Sequence, residues 1–248
     1  MKVLIIGYGN MGREIEAVLH QRGHSITGRI DPVQEDADAG ECTPEMAKEA
    51  DVAVEFALQS GVLPNAKLYA EYGLPAVVGT TGWDDQRSEV QRLVEKTGTL
   101  GYLWGANFSI GAHVLFALTE KAAQIADKLP DYDIMAYELH HSRKKDSPSG
   151  TALRIGDRIL KNTRRKTRIV TEKLDRKIET DELHIASVRG GSIPGIHTVL
   201  LDSPADTIEV RHTARNRSGC ALGAVLAAEW IKDKKGFYQV EDFIQDYF

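Results

Sequence analysis

The feature that most constrains this chain is the join between residues 3 and 12. VLII, an apolar β-branched run, passes directly into Gly7-Tyr8-Gly9-Asn10-Met11-Gly12, and a helix-period segment begins at Asn10. A G-x-G-x-x-G between a strand and a helix is a phosphate cradle: the first glycine permits the tight turn, the second lets backbone approach a pyrophosphate, and the third lets helix pack on strand. The helix N-terminus adds unpaired N–H groups and a favourable dipole. Asp31 closes the second apolar run, nineteen positions after Gly12, near the ~20 at which an acid takes the adenosine ribose hydroxyls. Gly7, Tyr8, Gly9, Asn10, Met11, Gly12 and Asp31 are therefore the predicted cofactor-binding set. An acid at position 31 accepts from a 2′-hydroxyl and repels a 2′-phosphate, which favours NADH over NADPH. Arg13 and Arg29 leave dual use open.

To about residue 106 the chain keeps one rhythm. VLII (3–6), ITGRI (26–30), VAVEF (52–56) and PAVVG (75–79) alternate with helix-period segments starting near Asn10, Gly61 and Asp85. Near-continuous apolar strands between helices imply a parallel sheet covered on both faces, so residues 1–106 read as an α/β, Rossmann-like doubly wound domain. After Asn107 the rhythm changes. A helix over 109–129, capped by Ser109 and followed by Pro130, precedes DIMAYELHH, a helix from Gly150 to Leu160, and then LHIASVRG, IHTVLLD and TIEVRHTA between turn signals. Strands in succession predict an α+β domain with an open mixed sheet over 107–215. An Ala-rich helix over 219–231 and a short amphipathic tail close the chain.

Composition removes the other classes. With 42% hydrophobic residues and a net charge of −5 the chain is neither disordered nor a basic nucleic-acid binder, and two cysteines make no disulfide scaffold. Its apolar runs fall well short of the ~20 residues that span a bilayer, and Met1 leads straight into a strand. The expectation is a cytoplasmic protein with no membrane or nucleic-acid partner. The one basic run, KNTRRKTR (161–168), reads as a solvated helix end and loop. Cys42 and Cys220 have no activating neighbour in sequence, so no chemistry is assigned to them.

Gly79-Thr80-Thr81-Gly82 follows the fourth strand, at the end where open α/β sheets place ligands. Gly105-Ala106-Asn107-Phe108-Ser109 stands at the domain junction. The most specific stretch is Glu138-Leu139-His140-His141-Ser142-Arg143-Lys144-Lys145-Asp146-Ser147-Pro148-Ser149-Gly150-Thr151-Ala152. Two histidines at a strand end and two lysines within four residues concentrate proton donors and positive charge, and Ser149-Gly150-Thr151 at a helix start suits a carboxylate. Such a site wants an anionic substrate and proton delivery. No metal is predicted: adjacent strand histidines face opposite ways, and no cysteine or carboxylate stands beside them at ligand spacing. Arg189, Gly190, Gly191 and His197, like His212, Arg215 and Arg217, read more readily as strand and turn geometry than as site residues.

These stretches, with SVRGGSIPGIH (187–197) and HTARNR (212–217), resemble the dihydrodipicolinate reductase family. The resemblance implies reduction by NADH or NADPH of 4-hydroxy-tetrahydrodipicolinate to tetrahydrodipicolinate, with loss of water, in diaminopimelate and lysine biosynthesis. It implies that residues 216–248 complete the nucleotide domain, that 107–215 bind substrate and build a homotetramer, and that the domains close about hinges near 106 and 215. His140 would be the proton donor or acceptor and Lys144 a second proton donor. His141, Ser149, Gly150 and Thr151 would hold a small dicarboxylate, and Gly79, Thr80, Thr81, Gly105, Ala106, Asn107 and Phe108 would face the nicotinamide. The chain departs from the family pattern in Ser147, where Ala is common, and in a loop shortened around 36–42.

Overall fold

A computed structural model describes residues 1–247. The chain forms two compact units, one of Met1–Ile110 together with the segment from Arg217 onward, the other of Gly111–Asn216. In chain order the first unit runs β1 (Lys2–Ile6), α1 (Asn10–Gln21), β2 (Ser25–Ile30), α2 (Pro44–Glu49), β3 (Val52–Glu55), α3 (Val62–Tyr72), β4 (Ala76–Val78), α4 (Arg87–Thr97) and β5 (Gly101–Trp104). Then come α5 (Ile110–Lys128), β6 (Asp133–His140), α6 (Gly150–Asn162), β7 (Arg168–Val170), β8 (Glu182–Arg189), β9 (Ile196–Asp202) and β10 (Thr207–Thr213). The chain closes with α7 (Ser218–Ile231), β11 (Gly236–Gln239) and α8 (Val240–Tyr247).

In the first unit six parallel strands lie in the order β11-β5-β4-β3-β1-β2. Val3, Leu4, Ile5, Val52, Ala53 and Val54 are fully buried because helices cover both faces, as the unbroken apolar runs require. The order reverses between β1 and β3, and the C-terminal ends of parallel strands share one edge. The loops after β1, β4 and β5 therefore all emerge on the edge where such sheets bind ligands. Helix α7 is apolar on every side and lies buried in this unit; a Cβ at Gly223 would stand 1.7 Å from the Phe108 carbonyl oxygen, so the helix needs glycine there to approach. Strands β5, β7 and β11 and helix α2 escape the sequence reading, each too short to show a period.

In the second unit five strands lie in the order β10-β9-β6-β8-β7, with β6, β7 and β8 parallel and β9 and β10 antiparallel. This is the open mixed sheet that succession of strands predicts. One face packs on α5 and α6 through Leu115, Phe116, Ala123, Ile155 and Ile159 against Ile134, Ala136, Ile185 and Val199. On β6 the residues facing that cover are Ile134, Ala136, Glu138 and His140. Alternation thus sets Glu138 and His140 side by side, two residues apart on one face.

The basic run at 161–168 is not the solvated end its composition suggests. Arg165 donates to the carbonyls of Ala126 in the last turn of α5 and of Leu129, Pro130 and Tyr132 in the loop that follows it. Lys166 is 4% exposed and sits 2.7 Å from Asp133, while Arg164 pairs with Asp127. Burial pushes the Cys42 thiol up to about 11 and raises that of Cys220, which leaves both as inert thiols. Among the described residues no helix is long and apolar enough to cross a membrane.

Candidate active site

In the first unit the glycine loop has the geometry that its spacing predicts. Gly7 lies at φ 89°, and a side chain there would run into the Phe56 carbonyl. A Cβ at Gly12 would stand 2.3 Å from the Gly7 oxygen, so glycine is what lets α1 start against the turn. Gly9 is different: a Cβ there would meet nothing within 4 Å. The empty space above Gly9, in front of the N-terminus of α1, fits a pyrophosphate. Asn10 is exposed and Met11 half-buried at the helix start, whereas Tyr8 is buried with its hydroxyl donating to Glu16.

Asp31 joins this loop to the chain beyond β2. Its Oδ2 accepts from the Tyr8 N–H at 2.9 Å, and Oδ1 accepts from Val33 and Gln34 at 2.9 and 3.1 Å. Arg13 and Arg29, the two cations that keep a 2′-phosphate in play, are both already paired. Arg13 grips Asp36 through two nitrogens at 2.6 and 2.7 Å, and Arg29 pairs with Glu16 and Asp38. The hydrogen bond from Arg29 holds the Glu16 carboxyl at about 2.

Along the same strand edge, Gly79 packs against the Phe56 ring and Thr81 is exposed. Thr80 is turned inward: its hydroxyl bridges the Ala57 N–H and carbonyl, and its own carbonyl accepts from Trp83 and Trp104. Gly105 is buried beside Val240, Ala106 is exposed, and Asn107 accepts from the Ser109 N–H. Phe108 is a core residue, 1% exposed and edge-on to Phe56. With their side chains turned inward, what Thr80 and Phe108 can offer a nucleotide is backbone.

The second unit gathers its polar residues in one row across the sheet. In register, Glu138 stands opposite Ser187 on β8 and His197 on β9, and His197 stands opposite His212 on β10. Directly opposite residues share a face. The Glu138 carboxylate, fully buried, is the hub: Oε1 accepts from the Ser149 N–H at 2.8 Å, Ser187 Oγ at 2.9 Å and Arg189 Nη2 at 2.6 Å. Its Oε2 accepts from Ser149 Oγ and lies 3.3 Å from Nε2 of both His140 and His197, whose Nε2 atoms are 3.4 Å apart. Burial alone would raise this carboxyl, but hydrogen bonds from His197, Ser149 and Arg189 outweigh it and hold the group well below the carboxylate range. His140 is pushed below the usual imidazole value by burial, against the pull of Glu138.

Around this hub the predicted residues divide. Ser149 caps α6, accepting from Ala152 at 3.2 Å, and both its donors turn to Glu138, so its polar atoms build the site from behind. Gly150 is exposed with open space where a side chain would be, and Thr151 follows it at the first turn, so the start of α6 presents N–H groups outward. His141 has a buried Nδ1 without a partner among the described residues. Lys144 is held by Asp146 at 2.8 Å. Gly195 is small where it must be, since a Cβ would stand 2.8 Å from His140 Cε1.

Two expectations change. A carboxylate does stand with the histidines: Glu138, His140 and His197 converge so closely that they could ligate one cation, although Arg189 already brings a positive charge to the same carboxylate. His197 and Arg189 also converge on Glu138, so strand and turn geometry alone does not describe them. The period of two marks Glu138 as sharing a face with His140; nothing local marks His197, because the pairing of β6 with β9 brings it there.

Comparison with known proteins agrees with both halves. Residues 1–108 match the family model for the dihydrodipicolinate reductase N-terminus and residues 111–244 that for its C-terminus. The chain is 36% identical to the 4-hydroxy-tetrahydrodipicolinate reductase of Christiangramia forsetii over all of this chain and 99% of the relative. It is 35% identical to that of Staphylococcus haemolyticus over 98% of this chain and all of the relative. Among solved structures, dipicolinate-bound dihydrodipicolinate reductase from Paenisporosarcina sp. TG-14 superposes with TM-score 0.72 at 22% identity, over 96% of this chain and 97% of that one.

Proposed function

Because this chain belongs to the dihydrodipicolinate reductase family, we propose that its two units divide one reduction between them, the first holding the nucleotide and the second the substrate and the proton. The activity is the family's: 4-hydroxy-tetrahydrodipicolinate is reduced to tetrahydrodipicolinate with loss of water, in diaminopimelate and lysine biosynthesis. A bound reduced pyridine nucleotide supplies the hydride. The single observation that carries the division of labour is the cluster around Glu138, where two histidines and an arginine converge beside the N-terminus of α6.

In this reading the substrate carboxylates meet the N–H groups of Gly150 and Thr151, the Thr151 hydroxyl, His141 and the Lys144 ammonium. A dicarboxylate is the fitting ligand, as in the dipicolinate-bound relative. Docking of one carboxylate competes with Asp146 for Lys144. His140 delivers the proton, and the balance is one hydride and one proton in, one water out. General acid catalysis of this kind contributes roughly 10²- to 10⁴-fold.

Gly7 to Gly12 hold the pyrophosphate and Asp31 the ribose. NADH is the preferred nucleotide, since Arg13 and Arg29 are neutralised by Asp36, Glu16 and Asp38 and a 2′-phosphate would enter an acidic surround. A homotetramer joined through the sheet of the second unit belongs to the same reading. The test couples the purified protein to freshly generated 4-hydroxy-tetrahydrodipicolinate and follows nucleotide absorbance. Oxidation with NADH faster than with NADPH is the expected result; no oxidation of either by folded protein overturns the reading.

A further inference from the structure

The hydrogens around Glu138 can be counted. Ser149 has one hydroxyl hydrogen, its oxygen accepts from the Ala152 N–H, and the ionised Glu138 Oε2 beside it has no hydrogen to give. The Ser149 hydrogen therefore goes to Glu138. Towards His197 Nε2, 3.2 Å away, Ser149 Oγ is left to accept, so His197 Nε2 carries a hydrogen in this network. That hydrogen faces three atoms at once: Ser149 Oγ, Glu138 Oε2 and His140 Nε2, at 3.2, 3.3 and 3.4 Å. Among the described residues, the hydrogen bonds and ion pairs of the His140 ring all run through Nε2, which leaves Nδ1 to meet substrate.

We propose that His140 and His197 work as one proton-sharing pair over Glu138, with His197 the reservoir that reprotonates His140 as it gives its proton away. The proposal rests on His140 being the donor. The step balances: with the pair carrying one proton beyond two neutral rings, His140 Nδ1–H passes to the reduced substrate, and His197 Nε2–H passes to His140 Nε2. Both rings end neutral, and solvent restores the proton. Glu138 is a positioning residue. It fixes the facing nitrogens and stabilises the charge on the pair, and its four donors keep it ionised so that it does not take the proton itself.

The groups facing the pair are accounted for. Glu138 comes from β6, Arg189 from β8 and His212 from β10, directly opposite His197; Lys144 comes from the loop after β6, with Asp146 against it. Of the two rings His140 is the one that burial presses towards neutrality, with the charges of His197, Lys144 and Arg189 acting the same way and Glu138 against them.

The pair is tested on the whole protein by nitrogen NMR of its labelled imidazoles as a function of pH, in the wild type, His197→Gln and Glu138→Gln. Shared titration of both rings is expected, with the His140 midpoint falling by about one unit or more in Glu138→Gln, where the stabilising anion is gone. His197→Gln abolishes the shared step and lowers kcat roughly 10- to 100-fold, with KM for nucleotide and substrate little changed. Independent titration of the two rings, with midpoints indifferent to either substitution, overturns the proposal. Shared titration in a protein whose His140→Gln variant turns over normally would leave the pair standing and remove His140 as the donor. His197→Gln keeps the question decidable if Glu138→Gln, which strands Arg189, fails to fold.

Discussion

Glu138 and His197 stand directly opposite one another across the β6–β9 pairing, carboxylate oxygen to ring nitrogen at 3.3 Å, although fifty-nine positions separate them in the chain. That one register contact turns a sheet into a site. It fixes the second histidine beside the first, and Ser149 at the start of α6 is tied to the same carboxylate. The substrate end is thereby built on a strand and a helix N-terminus, elements that hold geometry better than a loop.

Ser149 and Thr151 separate structure from binding. Ser149→Ala removes the cap of α6 and a donor to buried Glu138, and is expected to lower stability by about 1–2 kcal/mol in urea denaturation. Thr151→Ala has no such side-chain partner to lose among the described residues. It should leave stability unchanged while raising the KM for substrate several-fold in steady-state kinetics.

Two of the loop glycines should fail in different ways. Gly12→Ala puts a Cβ 2.3 Å from the Gly7 oxygen and is expected to lower the melting temperature of the free protein. Gly9→Ala meets open space, so it should fold normally and weaken nucleotide binding roughly tenfold or more, a loss of about 1.4 kcal/mol per decade measurable by calorimetry. Equal nucleotide affinity in wild type and Gly9→Ala would place the pyrophosphate elsewhere.

Nucleotide choice turns on Asp36. In Asp36→Ser the Arg13 guanidinium loses its bidentate partner, and the NADPH-to-NADH ratio of kcat/KM is expected to rise by about tenfold, more at low salt than at high. An unchanged ratio would mean that Arg13 does not reach the 2′ position.

Glu55 imposes a pH dependence on stability that has nothing to do with the reaction. It is fully buried, accepts from the Tyr69 hydroxyl at 2.8 Å, and burial raises its carboxyl from 4.5 to about 7. A raised carboxyl means that the folded state holds the proton more tightly than the unfolded one. Its contribution is full below pH 4.5 and is lost as pH rises to about 7, on the order of 3 kcal/mol in all. Denaturant titrations at pH 5 and pH 8 should show this fall in the wild type and a flatter profile in Glu55→Gln.

The nucleotide end is legible in the sequence because its signals are local. The strand, glycine loop and helix lie within twenty residues, and Gly7 and Gly12 each have their own steric reason. The substrate end is half legible. ELHHSRKK and SPSGT announce histidines, lysines and a helix start, and alternation along β6 marks Glu138 as the neighbour of His140. His197 and Arg189 are not legible, since strand pairing, which no local pattern encodes, brings them in. The basic run at 161–168 misleads for the same reason: the Ala126, Tyr132 and Asp133 groups it serves belong to other elements. The inward turn of the Thr80 and Phe108 side chains is likewise a matter of packing that no local pattern shows.

The central claim, that His140 delivers the proton in this reduction, is tested most directly by single-turnover kinetics of His140→Gln against the wild type, with saturating NADH and freshly formed substrate. The account predicts a folded variant that binds NADH as the wild type does and turns over roughly 10²- to 10⁴-fold more slowly. A folded variant that oxidises NADH at the wild-type rate would contradict it.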